Sequence, residues 1–372
     1  MYILKKIKDK EKWNDFIINS DFEFFSFLQS WEWWELQKVS KKNIKRYWIY
    51  KNHQKKEKLI WIFQMIEIRA KRWSYYLIPH GPLIKNLHNS FNEEQKDLSK
   101  NEKIKQIDKN NYFEVLKNIL PFLKKEAKLN KIDFIRINST VKNLIENKIE
   151  YKKLWFIDAP MHEHAEDTHL LDLEDNTETI FNNIKKKDRY YINRAIKEWV
   201  KVRIDNKKDH VEKLISMHHD HANKVWYHKF SKEFVYNLYE VFGDNISTIS
   251  TSYNQNIESI LMTIRFWKTC VYYIASSDII HHKFSPNYLC QWEAIKKAKN
   301  DGAFLYNFWW VSPDDNLKHP IAWVTRFKRK FWWYDYSLLH AQDLVISWRY
   351  CLNWVVESFR RVRRGYYYRK PE

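Results

Sequence analysis

Glycine is scarce in this chain. Its 372 residues include 4 glycines and 19 tryptophans, whereas ordinary usage of about 7% would give roughly 26 glycines. No Gly-x-Ser-x-Gly elbow, P-loop or glycine-rich dinucleotide fingerprint can be read. As written, the sequence therefore lacks the common hydrolase and nucleotide-binding signatures.

Cysteines and long apolar runs are also few. Cys270, Cys290 and Cys351 are odd in number and widely spaced, which fits neither a disulfide framework nor a zinc pattern. No apolar run approaches the roughly 18 residues that span a bilayer. The first residues are charged before the apolar region of a signal peptide could form. We therefore expect a cytoplasmic protein in a reducing compartment.

Basic residues are abundant. The formal net charge is +19, the sequence pI is about 9.4, and 44% of the residues are hydrophobic. The hydrophobic content is enough for a sizeable core, and the length suits two domains. The charge indicates a polyanionic partner or an anionic membrane surface.

Several tryptophans occupy turn-like positions where glycine is expected. Trp199 lies between a helical pattern and the alternating stretch 200–204, the place of a left-handed helix cap. Trp323 and the pairs Trp309-Trp310 and Trp332-Trp333 also lie in predicted turns. We hypothesise that about a dozen tryptophans are glycine codons, UGA, read as tryptophan. The alternative is an aromatic surface that stacks on sugars or bases.

Strand and helix patterns alternate in two rounds, which predicts an α/β (α+β) fold with an internal duplication. The first round has strands at Arg46–Tyr50, Leu59–Ile68, Trp73–Ile78 and Asp133–Asn138, with a helix at Tyr112–Leu129. The second starts at the strand His169–Leu173 and includes a helix at Asn287–Asn300. Residues 85–110 are polar and predict a solvated insertion. Residues 344–364 predict one long basic amphipathic helix.

Basic clusters are the strongest candidates for anion binding. One lies in the helix that opens the second round, and another, residues 326–331, alternates basic and aromatic side chains as a half-buried strand would. The proposed phosphate-binding residues are Lys185, Lys186, Lys187, Arg189, Arg326 and Arg329. Two histidine groups, at 162, 164 and 169 and at 218, 219 and 221, lack the partner spacing of a known metal site. We predict no metal and no cofactor.

Read in order, several segments resemble the Fem family of peptidoglycan-bridge aminoacyltransferases. They are Gln29–Trp33, Pro79–Ile84, Thr168–Leu173, the basic helix with Arg189 and Arg194, Pro286–Ile295, Tyr306–Phe308 and Phe327–Arg329. The family pattern usually has glycine where this chain has Trp34, Trp199, Trp323, Trp332, Trp333 and one of Trp309 and Trp310. The argument from turn-like positions and the argument from the family pattern thus select overlapping tryptophans.

The resemblance implies two tandem acyl-CoA N-acyltransferase (GNAT)-like domains. The first comprises residues 1–158 plus 340–372, which include the C-terminal helix, and the second comprises 159–339. The chain is similar to the FemX-like members, which lack the long helical arm of FemA and FemB. Such enzymes move an amino acid from aminoacyl-tRNA to the stem-peptide amine of a UDP- or lipid-linked muramoyl-pentapeptide precursor.

The resemblance also implies site residues. The family's catalytic phenylalanine-lysine pair matches Phe327 and Lys328, and we expect Lys328 to be the cation beside the developing charge. The family's substrate lysine falls near Gln37 and Lys38, and its substrate arginine falls near Phe230, beside Lys229. Further substrate candidates are Arg136, Tyr288 and Tyr306, although Arg136 equally suits a structural role.

Two other functions stay open. One is a GNAT-like N-acyltransferase that uses acyl-CoA or another donor, and the other is a non-catalytic RNA-binding protein. We expect a monomer that contacts the inner face of an anionic membrane peripherally.

Overall fold

The computed structural model describes residues 2–19, 26–53, 56–84, 100–225, 230–277 and 282–372. It divides the chain into two units. The first comprises Met1–Glu166 and Ser337–Glu372, and the second comprises Asp167–Tyr336. The predicted boundaries, 158/159 and 339/340, lie within eight and three residues of these.

The first unit is built from strands and helices of both ends of the chain. Its elements up to residue 166 are β1 (Tyr2–Lys6), α1 (Lys10–Ile18), the 3-10 helix Phe27–Gln29, α2 (Trp31–Val39), β2 (Asn43–His53), β3 (Lys56–Arg69), β4 (Ser74–Pro79), β5 (Leu83–Ile84), α3 (Lys100–Leu129), β6 (Phe134–Asn138), α4 (Ile145–Lys153) and β7 (Phe156–Asp158).

The second unit follows without interruption. Its elements are β8 (Asp167–Asp172), α5 (Thr177–Asn183), α6 (Lys186–Lys197), β9 (Lys201–Asp205), α7 (Lys208–Val225), α8 (Lys232–Phe242), the 3-10 helix Gly243–Asn245, β10 (Ile246–Tyr253), β11 (Asn256–Phe266), β12 (Thr269–Ser277), the 3-10 helix His282–Phe284, α9 (Pro286–Asn300), β13 (Leu305–Trp310), α10 (Ala322–Lys328), the 3-10 helix Arg329–Phe331 and β14 (Tyr334–Ser337). The chain then returns to the first unit with β15 (Gln342–Val345) and α11 (Tyr350–Arg363).

Each unit contains one mixed sheet. The first has the order β1-β2-β3-β4-β6-β15-β7, with β5 paired to β3, and the second has the order β14-β8-β13-β12-β11-β10-β9. The strands β4 and β6 are parallel, as are β12 and β13. The pairs β1–β2, β2–β3, β3–β4, β6–β15, β15–β7, β8–β13, β12–β11, β11–β10 and β10–β9 are antiparallel. One internal parallel pair in each sheet agrees with the predicted duplication of an α/β unit.

Helices cover these sheets with apolar side chains. In the first unit, Leu116, Ile119 and Leu123 of α3 are fully buried among strand residues such as Phe63 and Ile135. In the second unit, α9 contributes Leu289, Cys290, Trp292 and Ile295 to the core. The three- and four-residue spacing of the α3 positions places them on one face, whereas α9 is buried on most of its sides.

Three predicted elements differ from the structure. Residues 85–99 lie outside the described residues, but from Lys100 onward the supposed insertion is the helix α3. The basic helix begins at Tyr350 rather than at residue 344, because Leu344 pairs in β15 with β6 and β7. Residues 326–331 form the end of α10 and a 3-10 helix instead of a strand, since six alternating residues do not distinguish the two structures.

The backbone supports part of the tryptophan hypothesis. Of the predicted positions, φ is positive at Trp199 (59°), Trp309 (60°), Trp332 (66°) and Trp333 (135°). Two tryptophans that were not predicted, Trp155 and Trp267, have φ of 68° and 51°. Trp34 and Trp323 lie inside α2 and α10, so no left-handed backbone favours glycine there.

The turn at Trp199 repeats a helix-end motif that the chain builds elsewhere with glycine at two positions and with Lys41 and Lys131 at two others. The Trp199 N–H bonds to the Ile196 carbonyl and the Val200 N–H to the Ala195 carbonyl, which is the Schellman pattern. Gly302 and Gly365 occupy the same place at the ends of α9 and α11, with φ of 82° and 69°. The Trp199 indole is 86% exposed, so packing does not offset its left-handed strain.

Candidate active site

The parallel pair in the second unit separates along its length. Residues Thr269, Cys270 and Val271 of β12 pair with Leu305, Tyr306 and Asn307 of β13. β12 continues to Ser277 and β13 to Trp310 without further pairing between them. The two strands therefore diverge beyond Val271 and Asn307.

A bulge in β13 accompanies this divergence. On its other side β13 pairs with β8, and the register shifts between Asn307 and Trp310. Trp309 lies in the bulge at φ 60°, and its N–H donates to Oδ1 of Asn307 at 2.7 Å. A left-handed residue is typical of the bulge type that favours glycine, which agrees with glycine at one of Trp309 and Trp310.

The short helix α10 carries the proposed catalytic lysine towards these strands. Ala322, Thr325 and Lys328, three residues apart, are its buried positions. The Thr325 hydroxyl donates to the Ile321 carbonyl at 3.0 Å and accepts from the Ser312 N–H at 2.7 Å. These bonds anchor α10 to the segment that follows β13.

Lys328 is 6% exposed. Its Nζ donates to the main-chain oxygen of Trp310 at 2.8 Å and lies 5.3 Å from the centre of the Tyr272 ring. Trp310 and Tyr272 belong to the two diverging strands, so the ammonium lies where β12 and β13 separate. Burial lowers the pKa of Lys328 to about 7, because desolvation disfavours the charged form.

The ammonium keeps donor capacity for a ligand. An ammonium has three N–H donors, and within the described part of the chain Nζ has one hydrogen-bond acceptor, the Trp310 carbonyl, and no carboxylate partner. A buried ammonium without a carboxylate partner is suited to stabilising negative charge that develops during a reaction. Lys328, which the alternating pattern of residues 326–331 predicted to lie on a strand, is thus a buried lysine at the end of a helix.

Phe327 packs on the other side of α10. Its ring makes edge contacts with Tyr288 and Phe331, with ring centres 5.4 Å apart in both cases. The Tyr288 hydroxyl accepts a hydrogen bond from Lys330, and burial together with Asp188 raises the pKa of Tyr288. Phe327 and Tyr288 therefore support α10 in the core of the second unit.

Arg329 forms an ion cluster instead of a free phosphate site. Its guanidinium bonds both carboxylate oxygens of Asp335 and one of Asp315, and donates to the Ser312 carbonyl at 3.1 Å. Asp335 also bonds Nδ1 of His169 at 2.9 Å. We correct the predicted role of Arg329, because its donors already hold this segment in place.

Two predicted substrate residues are structural. Tyr306 is fully buried, and its hydroxyl accepts from Nε2 of Gln291 at 2.7 Å. Arg136 is fully buried and makes a bidentate pair with Asp343 at 2.8 Å through Nε and Nη2. Nη1 and Nη2 also bond Glu163 and Glu357. Neither side chain presents a free polar group to a substrate.

The other substrate candidates lie in the first unit or outside the described residues. Gln37 is 3% exposed, and its Oε1 accepts from Nζ of Lys42 at 2.8 Å. Lys38 is exposed, and its Nζ lies 3.7 Å from Oε2 of Glu35. Lys42 was not predicted, but it brings an ammonium to the position where the resemblance expects one. Lys229 lies outside the described residues.

The remaining phosphate candidates are accessible. Lys185, Lys186 and Lys187 are exposed at the beginning of α6. Arg189 is half-buried and donates to the Asn182 carbonyl. Arg326 is exposed and lies over the Trp323 ring. The three lysines form the densest accessible basic group among the predicted residues.

The histidine groups are not the clusters that the sequence suggested. His169 pairs with Asp335, and His218 and His219 bond the backbone of Phe230. Ligand atoms of His162, Glu166 and His340 do lie within 4.8 Å of one another. However, both ring nitrogens of His340 already bond oxygens, of Glu166 at 2.7 Å and of Ala159 at 2.8 Å.

Because both ring nitrogens of His340 face acceptor oxygens, both carry a proton. The Glu166 carboxylate also raises the pKa of His340. A protonated ring has no lone pair for a metal. The trio is therefore an ion pair with a neighbouring histidine.

Sequence reasoning missed the partners of Lys328. Tyr272 and the Trp310 carbonyl come from strands that precede it by 56 and 18 residues. Their proximity follows only from the parallel pairing of β12 with β13. The only part of these two strands that the sequence analysis had singled out was the family-like segment Tyr306–Phe308 in β13.

Comparison with known protein families gives one match. Residues 245–334 match the FemAB family, a range that includes β12, β13 and α10. No curated protein sequence matches the chain. In the described residues, no helix is long and apolar enough to cross a membrane.

Solved structures show the same architecture over the whole chain. The crystal structure of FemX aligns with a TM-score of 0.72 at 14% identity and covers 95% of this chain and 100% of that one. A conserved protein of unknown function from Bacteroides thetaiotaomicron aligns at 0.53, with 12% identity over 93% of this chain and 100% of that one. A tandem GNAT protein from the clavulanic acid biosynthesis pathway aligns at 0.51, with 7% identity over 93% and 99%.

The fold is therefore the predicted tandem GNAT type. The match at residues 245–334, within the second unit, and the FemX fold confirm the resemblance to the Fem family that the motifs predicted.

Proposed function

We propose that the protein transfers an amino acid from aminoacyl-tRNA to the side-chain amine of a peptidoglycan stem-peptide precursor. The observation that carries this proposal is the buried ammonium of Lys328 at the divergence of β12 and β13. The FemAB match over this region and the FemX fold support the choice of an aminoacyl donor over other acyl donors.

The reaction asks little covalent chemistry of the protein. The ester of an aminoacyl-tRNA is already activated, so a positioned neutral amine attacks its carbonyl carbon. The new C–N bond forms an amide, the ester C–O bond breaks, and a proton passes from the amine to the departing ribose oxygen. Lys328 would stabilise the oxyanion or the ribose oxygen through its remaining N–H donors.

Binding of the donor would use the exposed lysines at the beginning of α6. Lys185, Lys186 and Lys187 offer three flexible ammonium groups to RNA phosphates. Because such contacts release counterions, donor affinity should fall steeply with salt. On the acceptor side, the ammonium of Lys42, which donates to Gln37, lies close to the place of the expected substrate lysine, and it suits the diphosphate of either a UDP- or a lipid-linked precursor.

A donor-and-acceptor assay tests the proposal. Radiolabelled aminoacyl-tRNA is incubated with the full chain and with a UDP-linked or a lipid-linked muramoyl-pentapeptide, and the labelled product is quantified. We expect label on one of the two acceptors and none without acceptor. Screening all charged tRNAs identifies the amino acid.

Other outcomes would overturn it. Transfer from acetyl-CoA to an amine, without transfer from any charged tRNA, would favour the acyl-CoA alternative that the tandem GNAT fold also allows. Tight tRNA binding without transfer to either acceptor would favour a non-catalytic RNA-binding protein.

A further inference from the structure

The outward face of α11 is apolar. Leu352, Val355, Phe359 and Val362 are 44%, 61%, 67% and 74% exposed, and their three- and four-residue spacing places them in one stripe along the helix. The stripe contains no tryptophan, so it does not depend on how those codons are read. Contiguous exposed apolar side chains on a protein surface mark an interaction site.

The opposite face holds the helix to the first unit through polar contacts. Tyr350, Asn353 and Glu357 are its buried positions. The Tyr350 hydroxyl donates to Asp343 at 2.9 Å, and Glu357 accepts from Arg136 at 2.8 Å. The fold therefore positions α11 without using the outward stripe.

Arginines border this stripe. Arg349, Arg360, Arg361, Arg363 and Arg364 lie within or next to α11, whose one carboxylate, Glu357, faces inward. Arg349 donates to the Arg72 carbonyl at 2.7 Å, which brings the exposed Arg72 to the beginning of the helix. The exposed side of α11 therefore carries positive charge without a compensating acidic side chain of the helix.

We propose that the outward face of α11 docks on the surface of an anionic phospholipid bilayer. An apolar stripe flanked by arginines is the pattern of a helix that lies in the membrane interface. The apolar side chains enter the boundary between head groups and acyl chains, and the long arginine side chains reach phosphates beside them. This docking does not depend on the chemistry at Lys328, and it would bring a transferase to lipid-linked acceptors.

Charge selects the bilayer over a second copy of the chain. A self-complementary dimer would bring two sets of these arginines together, which repel one another. RNA would satisfy the arginines but would leave the apolar stripe in water. A bilayer with anionic lipids satisfies both features.

Vesicle sedimentation tests the proposal. The full chain is mixed with sucrose-loaded vesicles of phosphatidylcholine alone or of phosphatidylcholine with phosphatidylglycerol, and bound protein is measured. We expect binding to the anionic vesicles, at least tenfold weaker binding to neutral ones, and weakening by 1 M salt because salt screens the arginines.

Two sets of variants locate the surface. The double variant Leu352→Ser/Phe359→Ser should weaken binding to anionic vesicles at least tenfold, since it removes two inserting side chains. The triple variant Arg360→Gln/Arg361→Gln/Arg363→Gln should weaken it about 100-fold, at roughly fivefold for each basic residue. All these positions are partly or fully exposed, and unchanged circular dichroism and thermal unfolding establish that the variants fold.

Matched controls use similar side chains elsewhere. Leu129→Ser removes an apolar side chain that is 68% exposed at the end of α3, and Lys207→Gln/Lys208→Gln/Lys213→Gln removes three exposed basic side chains at the beginning of α7 in the second unit. Neither should change vesicle binding more than twofold. Equal binding to neutral vesicles, or retention of binding by both α11 variants, would overturn the proposal.

Two further results would also overturn it. One is a dimer in light scattering that Phe359→Ser dissociates, without vesicle binding by the original chain. The other is RNA binding that the arginine variant abolishes, again without vesicle binding. Aminoacyl transfer to a UDP-linked acceptor in detergent-free solution is measured separately, so failure of docking and failure of the proposed activity are distinguishable.

Discussion

The two units treat their parallel strand pairs differently. β4 and β6 pair over five residues, from Tyr75 with Phe134 to Pro79 with Asn138, and the Gly81 N–H continues with a bond to the Asn138 carbonyl. β12 and β13 pair over three residues and then separate. The first pair is closed around Arg136, which is paired with carboxylates, and the second is open beside Lys328, which has no carboxylate partner among the described residues.

The two buried cations differ in their partners. Arg136 and Lys328 are both nearly inaccessible to solvent. Three carboxylates surround Arg136, so it contributes to structure, whereas desolvation without a carboxylate lowers the pKa of Lys328 to about 7. A duplicated fold thus provides a buried cation held by carboxylates in one unit and, among the described residues, a buried cation without a carboxylate partner in the other.

The largest expected effect is on stability, from a substitution of Arg136 beside the β4–β6 pair. Arg136→Met should lower the free energy of unfolding by about 3–5 kcal/mol, because it leaves buried carboxylates without their partner. Arg349→Met, which removes an exposed arginine of the same unit, should change it by less than about 0.5 kcal/mol. Denaturant titration monitored by circular dichroism measures both, and equal effects would contradict the structural role of Arg136.

The next effect tests the open pair. Lys328→Met should lower the rate of aminoacyl transfer by about 10²–10³, the typical result of removing one donor to an oxyanion. Lys299→Met is the control, since Lys299 also donates to a main-chain carbonyl, that of Leu173, but lies on α9. A near-normal rate for Lys328→Met would remove Lys328 as a catalytic residue.

The same lysine predicts an unusual dependence of stability on pH. Its folded pKa of about 7 lies below the ordinary value of 10.5, so between these values the unfolded chain binds more protons and stability rises with pH. Below pH 7 the buried charge exerts its full destabilising effect, and Lys328→Met should be more stable by on the order of 2 kcal/mol. This advantage should shrink from pH 6 to pH 9 in paired denaturation curves. A constant difference would argue against a depressed pKa.

The smallest effect concerns the turns of the second unit. Trp199→Gly should stabilise the protein by about 1 kcal/mol, because glycine adopts the left-handed cap without strain. Trp323→Gly should destabilise it by about 1 kcal/mol, because Trp323 lies in α10. Thermal unfolding measures both signs, and the same sign for both would contradict the backbone argument.

The coding of these positions can also be read directly. Mass spectrometry of protein from the source organism should find glycine at 199, 309, 332 and 333, where φ is positive. UGG codons at Trp199 and Trp332 would exclude the recoding hypothesis.

Local patterns predicted many elements of this protein because they depend on neighbouring residues. The helix predicted at Asn287–Asn300 is α9, Pro286–Asn300, and the strand predicted at Val200–Ile204 is β9, Lys201–Asp205. The scarcity of glycine predicted strained turns, and the structure has them at Trp199, Trp332 and Trp333. The order of short motifs predicted the family and the tandem GNAT fold.

Tertiary structure alone decided which of the candidate residues are free to react. Arg136 finds Asp343 and Glu357 across 207 and 221 residues, and no local pattern predicts such pairing. Lys328 becomes buried because α10 meets the divergence of β12 and β13, and burial then lowers its pKa. The sequence by itself determined where the cations lie along the chain. Only the fold decided which of them are paired, because charge pairing and desolvation depend on distances in space.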